Sequence, residues 1–187
     1  MERRSILAAL TLLPFAALAR RAYAALPTNM KEVHAVEASW RSLLAPGTTV
    51  PEPSDKLALP DAEWKKRLTQ LQYDVLREEG TERAGTSPLD REKRPGVFVC
   101  AGCGLPLFTS AMKFNSGTGW PSFFTFIPGS LGTRKDHKLI FMTRTEYHCI
   151  RCGGHQGHVF DDGPPPTRLR YCNNGVALKF IPKEGKA

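Results

Sequence analysis

The sequence predicts a mainly β (α+β) protein in which coiled antiparallel β-sheets carry the chemistry and short helices stand on the N-terminal side. Three observations predict it. Apolar residues recur at helical spacing only ahead of Gly80, whereas beyond it β-branched and aromatic runs are cut by Gly, Pro, Asn and Asp. No alternation of strands with helices suggests a parallel sheet, and there is no internal repeat. Two C-x-x-C pairs, each able to give two thiolates to one ion, both fall in the β half. With 187 residues, 41% hydrophobic and 24% charged, the chain has the size and composition of one globular domain with extensions.

Residues 1–24 read as a cleavable export signal. Arg3 and Arg4 precede an apolar run from Ile6 to Ala19, and Ala22-Tyr23-Ala24 supplies a small-residue cleavage site. The run contains Pro14 and is too short for a comfortable membrane span; a buried N-terminal helix is the alternative reading. No cysteine before Cys100 offers a site for a lipid, so no stable membrane anchor is expected after cleavage. Arg3-Arg4-Ser5-Ile6-Leu7 resembles a twin-arginine signal, a route that carries folded proteins, and points to the bacterial periplasm. Arg3, Arg4, Arg20 and Arg21, set against Glu2, account for three of the formal net charge of +8. The remaining basic clusters, such as Lys65-Lys66-Arg67 and Arg91-Glu92-Lys93-Arg94, are short and mixed with carboxylates, which describes solvated faces and no nucleic-acid surface.

Residues 25–58 form an N-terminal helix and a Pro-rich linker, and residues 59–183 form the main domain. Val33, Val36, Trp40 and Leu43 predict a helix over Asn29–Leu44, opened by Asn29 with Glu32 as a capping box and stopped by Pro46-Gly47. Thr48–Pro60 is a linker or surface strap. Two short helices follow: Asp61 caps the first, Thr69 with Gln72 caps the second, and Gly80 takes the left-handed C-terminal position. Their core stripe is Leu68, Leu71 and Val75. Strands are expected over Val97–Cys100, Ser122–Ile127, Lys138–His148, His158–Phe160 and a long Arg168–Phe180.

Cys100 with Cys103 and Cys149 with Cys152 present two thiol pairs from Gly-rich turns, the donor set of a closed tetrahedral site for one structural zinc per chain. In an exported chain disulfides or a redox-active C-x-x-C remain the alternatives. Neither pair stands at a strand-to-helix junction, which counts against the thioredoxin-like version. Cys172 is left over, and in an exported chain such a cysteine is either buried or reactive. Strand alternation puts Arg170, Cys172 and Asn174 on one face, with a cation to lower the thiol pKa and an amide to orient a reacting group. His155 and His158 precede a Pro/Gly turn that returns the chain to that thiol. Trp120, held between Gly119 and Pro121, suits the floor of a small apolar pocket; a core tryptophan is its plainer reading.

The stretches LPDAEWKKRLTQLQYDVLREEGTE, GVFVCAGCGLPLF, KFNSGTGWPSF and GHVFDDGPPPTRLRYCNNGVALKF together resemble the B-type peptide methionine sulfoxide reductases, over about Leu59 to Pro182. The resemblance implies a mainly β fold with flanking helices and reduction of the R epimer of methionine sulfoxide in oxidised proteins or peptides. It implies Cys172 as nucleophile in the R-Y-C-x-N motif, and Cys100, Cys103, Cys149 and Cys152 as zinc ligands. It also implies that His155, His158, Arg170 and Asn174 form the polar side of the site while Trp120 receives the substrate methyl group. Many members carry a resolving cysteine just before Gly-Trp-Pro-Ser-Phe, where this chain has Thr118. With four cysteines on zinc, an external thiol, thioredoxin-like or a small molecule, is then the expected reductant. An exported zinc-ribbon binding module with an inert Cys172 is the reading from another class.

Overall fold

A computed structural model describes residues 25–139 and 142–184, without the side chains of residues 137–139, 142 and 143. The leader and the turn between the fifth and sixth strands lie outside the described residues. Two antiparallel sheets form the body. β1 (Gly96–Cys100) lies between β2 (Pro106–Thr109) and β9 (Leu178–Pro182) in one sheet. The second has the order β3 (Lys113–Phe114), β4 (Ser122–Phe123), β8 (Arg170–Asn173), β7 (His155–Phe160), β6 (Met142–Cys149), β5 (Leu131–Leu139).

Alternation along the strands divides the large sheet into an apolar and a chemical face. Phe123 pairs with Tyr171, Tyr171 with Val159, and Tyr147 with Gly157. These aromatics meet Phe98 and Phe108 of the small sheet: Phe108 stacks on Phe123 at 4.0 Å, and Tyr147 meets Tyr171 edge-on at 5.4 Å. All five rings are buried, and they form the seam between the sheets. Period two then commits the neighbouring residues, Ser122, Glu146, His158 and Cys172, to the opposite face.

Helices cover the N-terminal side. α1 (Met30–Ala38) is shorter than the expected Asn29–Leu44, since a 3-10 turn over Trp40–Leu43 replaces its last turn. Asn29 caps it by accepting from Glu32 N, but the Glu32 carboxylate reaches Thr28 N at 2.7 Å, leaving the box half made. Val33 is buried in the N-terminal region, while Val36, Trp40, Leu43 and Leu44 pack on the main core. In α2 (Asp61–Arg67) the cap position belongs to Pro60; Asp61 is the first helical residue, and its carboxylate accepts from the Tyr73 hydroxyl and pairs with Lys65 at 2.8 Å. α3 (Gln70–Glu78) has the full Thr69–Gln72 box. Its left-handed residue is Glu79, one earlier than expected, and Gly80 N donates to Asp74 O at 2.9 Å. Leu68 and Val75 are buried as expected, but Leu71 faces solvent and Tyr73 and Leu76 fill the stripe. Losing the box through Thr69→Ala should cost about 1 kcal/mol, read as a melting temperature lower by about 2–4 °C.

Several strands differ from expectation. The Ser122–Ile127 strand stops at Phe123. Lys138–His148 is the end of one strand and most of the next, a hairpin whose first arm, LGTRKDHKL, has too little apolar alternation to be seen. Arg168–Phe180 breaks into β8 and β9, which belong to different sheets, through a 3-10 turn at Gly175–Ala177. That break shapes the site.

Candidate active site

The strands set a row of side chains across the chemical face. Ser122 of β4 lies opposite Cys172 of β8, Cys172 opposite His158 of β7, His158 opposite Glu146 of β6, and Glu146 opposite Arg134 of β5. Directly opposed residues hold their Cβ atoms about 4.5–5.5 Å apart, so Cys172 and His158 are neighbours by register alone. A cleft of about 170 Å³ opens over this row, lined by Trp120, His158, Cys172 and Asn174 of the expected set. Thr81, Arg144, Phe160 and Asn173 line it as well. Trp120 is half-buried on the cleft wall, not a core residue, and Cys172 is only partly covered.

Each histidine is held by a carboxylate. His158 Nε2 lies 2.7 Å from Asp136, which also accepts from Arg144 at 2.9 Å. Burial lowers the pKa of His158 against the opposing pull of Asp136, so the free imidazole is neutral at pH 7. His155 is fully buried, with Nδ1 2.8 Å from Glu146 Oε1 and no hydrogen-bond partner on Nε2. The two rings meet edge to face at 5.4 Å. Burial pushes the Glu146 carboxyl up, but hydrogen bonds from His148 and His155 and the Arg134 charge outweigh it and hold it at about 2.

Arg170 is gripped by Asp162 through two hydrogen bonds of 2.8 Å, and its charge favours the Cys172 thiolate. The Thr118 hydroxyl also favours that thiolate; it hydrogen-bonds Ser116 at 2.8 Å, and Ser116 in turn Ser122 at 2.8 Å. Burial nevertheless outweighs them, and the Cys172 pKa lies above its ordinary 9.0. This corrects the expectation that the cation at Arg170 lowers the thiol pKa: Arg170 acts in the expected direction, but burial is the larger influence. The sign is testable. Since the thiol is protonated at pH 7, alkylation of Cys172 by iodoacetamide, followed by peptide mapping, should keep accelerating up to and beyond pH 9; a plateau below pH 8.5 would contradict it.

Asn174 departs from the expected arrangement. The strand ends at Asn173, so alternation does not place Asn174; its side chain donates to Gln156 O at 3.1 Å and accepts from Glu82 N at 3.0 Å. It lines the cleft from a fixed position. Asp136, Glu146, Arg144 and Glu82 were not found by sequence reasoning. The first three sit on the polar hairpin arms, and their only signal was the presence of charges in a paired strand.

Away from the cleft, the Sγ atoms of Cys100, Cys103, Cys149 and Cys152 all lie within 4.8 Å of one another. Cys100 and Cys152 are 3.7 Å apart, and Cys103 and Cys149 3.5 Å. A tetrahedral ion with bonds of about 2.3 Å needs sulfurs about 3.8 Å apart, so the donor set and spacing fit a closed S4 metal site. Both turns close alike: Gly104 N donates to Cys100 O and Gly153 N to Cys149 O, each at 2.8 Å, with the two glycines at φ +78° and +70°. Gln156 Nε2 donates to Cys100 Sγ at 3.4 Å, tying the cluster to the strand that carries both histidines.

The SelR domain family matches residues 68–182. The peptide methionine sulfoxide reductase MsrB of Methanosarcina barkeri is 52% identical over 127 residues, 67% of this chain and 89% of that protein. The protein of the same description from Agrobacterium fabrum is 49% identical over 130 residues, 69% of this chain and 96% of its own length. The chloroplastic peptide methionine sulfoxide reductase B1 of Arabidopsis thaliana is 50% identical over 129 residues, 69% of this chain. The chain spans 64% of that plant relative and 60% of its rice counterpart.

Proposed function

Since the chain belongs to the SelR-domain family of B-type peptide methionine sulfoxide reductases, we propose that it reduces methionine (R)-sulfoxide in oxidised proteins and peptides at Cys172. The observation that carries this reading is a partly covered thiol set directly opposite His158 in a cleft walled by Trp120. The substrate methyl group lies against the Trp120 ring, a sulfur–aromatic contact worth on the order of 1 kcal/mol, and the sulfoxide oxygen turns toward the histidines. Sulfur of Cys172 attacks the sulfoxide sulfur as its oxygen gains a proton, which His155 or His158 relays from the thiol within the network. Overall the oxygen passes to Cys172, methionine leaves, and the thiol's own proton ends on the sulfenic acid, so the books balance without another reactant. The raised thiol pKa fits this coupling: the thiolate forms as the sulfoxide takes up a proton, not in the resting protein.

A first external thiol then attacks the sulfenic acid, releasing water and leaving a mixed disulfide, and a second restores Cys172. Thioredoxin-like proteins and small-molecule thiols both suit this step. Thr118 supports it, because a hydroxyl that acts on the Cys172 thiol occupies the place from which a thiol could otherwise resolve it. Cys100, Cys103, Cys149 and Cys152 hold one zinc ion, which has no open position and supplies structure alone. The first 24 residues direct export to the periplasm, so that the exported protein begins at Ala25 and serves in repair of oxidised proteins; among the described residues no helix is long and apolar enough to cross a membrane.

The deciding test is turnover on separate R- and S-sulfoxide peptides with dithiothreitol as reductant. Reduction of the R peptide alone supports the reading, and equal rates on both, or none, would refute it.

A further inference from the structure

Glu82 stands outside the residues assigned above, yet both of its backbone polar groups bond one of them, and its carboxylate bonds the turn that follows Cys172. Its backbone N–H donates to Asn174 Oδ1 at 3.0 Å, and its backbone carbonyl accepts from Trp120 Nε1 at 3.2 Å. Its carboxylate, on a residue only 4% exposed, accepts from the amides of Gly175 and Val176, the latter at 2.9 Å. Those amides open the 3-10 turn, three residues after Cys172, through which the chain leaves β8 and crosses to the other sheet. Burying a carboxylate is costly unless its lone pairs are satisfied, and two convergent amides at the start of a turn satisfy them. The carboxylate therefore fixes the backbone of residue 82 relative to Cys172, and that backbone in turn fixes the indole and the amide on the cleft wall.

We propose that Glu82 is a positioning residue for the reaction: its carboxylate locks the 79–87 loop onto the turn after Cys172 and thereby sets the distance between Trp120 and the reacting sulfur. The consequence concerns substrate binding more than stability. Without the lock, Trp120 and Asn174 keep their partners on residue 82 but move with it, and the methyl-binding wall drifts away from the thiol. Gly175 offers an independent handle, because a Cβ there would lie 2.0 Å from Ser87 Oγ and 3.2 Å from Glu82 Oε1, so an alanine presses on the same loop from the other side.

The inference rests on the proposed reductase activity, and the test separates the two. In the full chain, Glu82→Ala should raise the KM for an R-sulfoxide peptide about tenfold, and Glu82→Gln, which keeps one acceptor oxygen, about threefold. Gly175→Ala should raise it in the same sense. Asn29→Ala serves as the control, since it removes the cap of α1, whose residues line neither the cleft nor the groove beside Glu82, and should leave KM unchanged. If Glu82→Ala does not fold, Glu82→Gln and Gly175→Ala decide. Melting temperatures that fall with KM at the wild-type value in the folded variants would overturn the positioning role. Wild-type protein without R-sulfoxide turnover would overturn both it and the parent reading.

Discussion

Replacing Cys172 with serine is expected to lower R-sulfoxide reduction by at least about a thousandfold and to leave the fold intact. The reason is chemical: a serine oxygen cannot accept the sulfoxide oxygen as a sulfenic acid does, so the step has no alternative acceptor, and each tenfold loss corresponds to about 1.4 kcal/mol of barrier. The fold should be indifferent, because Cys172 faces the cleft and not the aromatic seam, and a near-isosteric change outside the core costs about 0.5 kcal/mol or less. Mass spectrometry after a single turnover without reductant reads the same event directly. Wild-type protein should gain one oxygen on Cys172 and form no internal disulfide, and the serine variant should gain none. Full activity in the serine variant would end the assignment of Cys172 as the nucleophile.

Removing the metal, or one of its ligands, should do the opposite: break the fold first and activity with it. Cys149→Ser leaves three thiols and a hydroxyl in a buried cluster built to share one ion. Structural zinc contributes roughly 10 kcal/mol or more to a folded site, comparable with the whole stability of a domain, about 5–15 kcal/mol. Even if most of that is recovered by relaxation, the remaining few kcal/mol should lower the melting temperature by on the order of 10–20 °C. Elemental analysis should find one zinc per wild-type chain and less in the variant, and a chelator should bring wild type to the same melting temperature. Retained stability after complete zinc removal would end the structural assignment. The cluster also reaches the site through Gln156, which bonds Cys100 with its side chain and Asn174 with its carbonyl, so activity should decline before unfolding is complete.

How much could be read in advance varied with the range of the interaction responsible. The Thr69–Gln72 box and the Gly-closed C-x-x-C turns depend on residues within a few positions of one another, and they stand as expected. Asp61 missed its cap by one position because Tyr73 and Lys65 hold its carboxylate, and no local pattern reports on those contacts. The first arm of the β5–β6 hairpin was invisible because its charged residues pair with partners on other strands, as Asp136 does with His158 and Arg134 with Glu146.

By itself the sequence determined the inventory: four thiols paired for an ion, a fifth apart, two histidines and a tryptophan, and the family in which these belong together. Only the tertiary structure decided how they act. Register across β4, β8, β7 and β6 put Cys172 beside His158, burial turned its pKa upward despite Arg170, and the crossing from β8 to β9 took Asn174 off the strand and gave Glu82 its hold on the cleft. Residue types and spacings are written along one chain, but desolvation and cross-strand pairing depend on what distant segments bring to the same place.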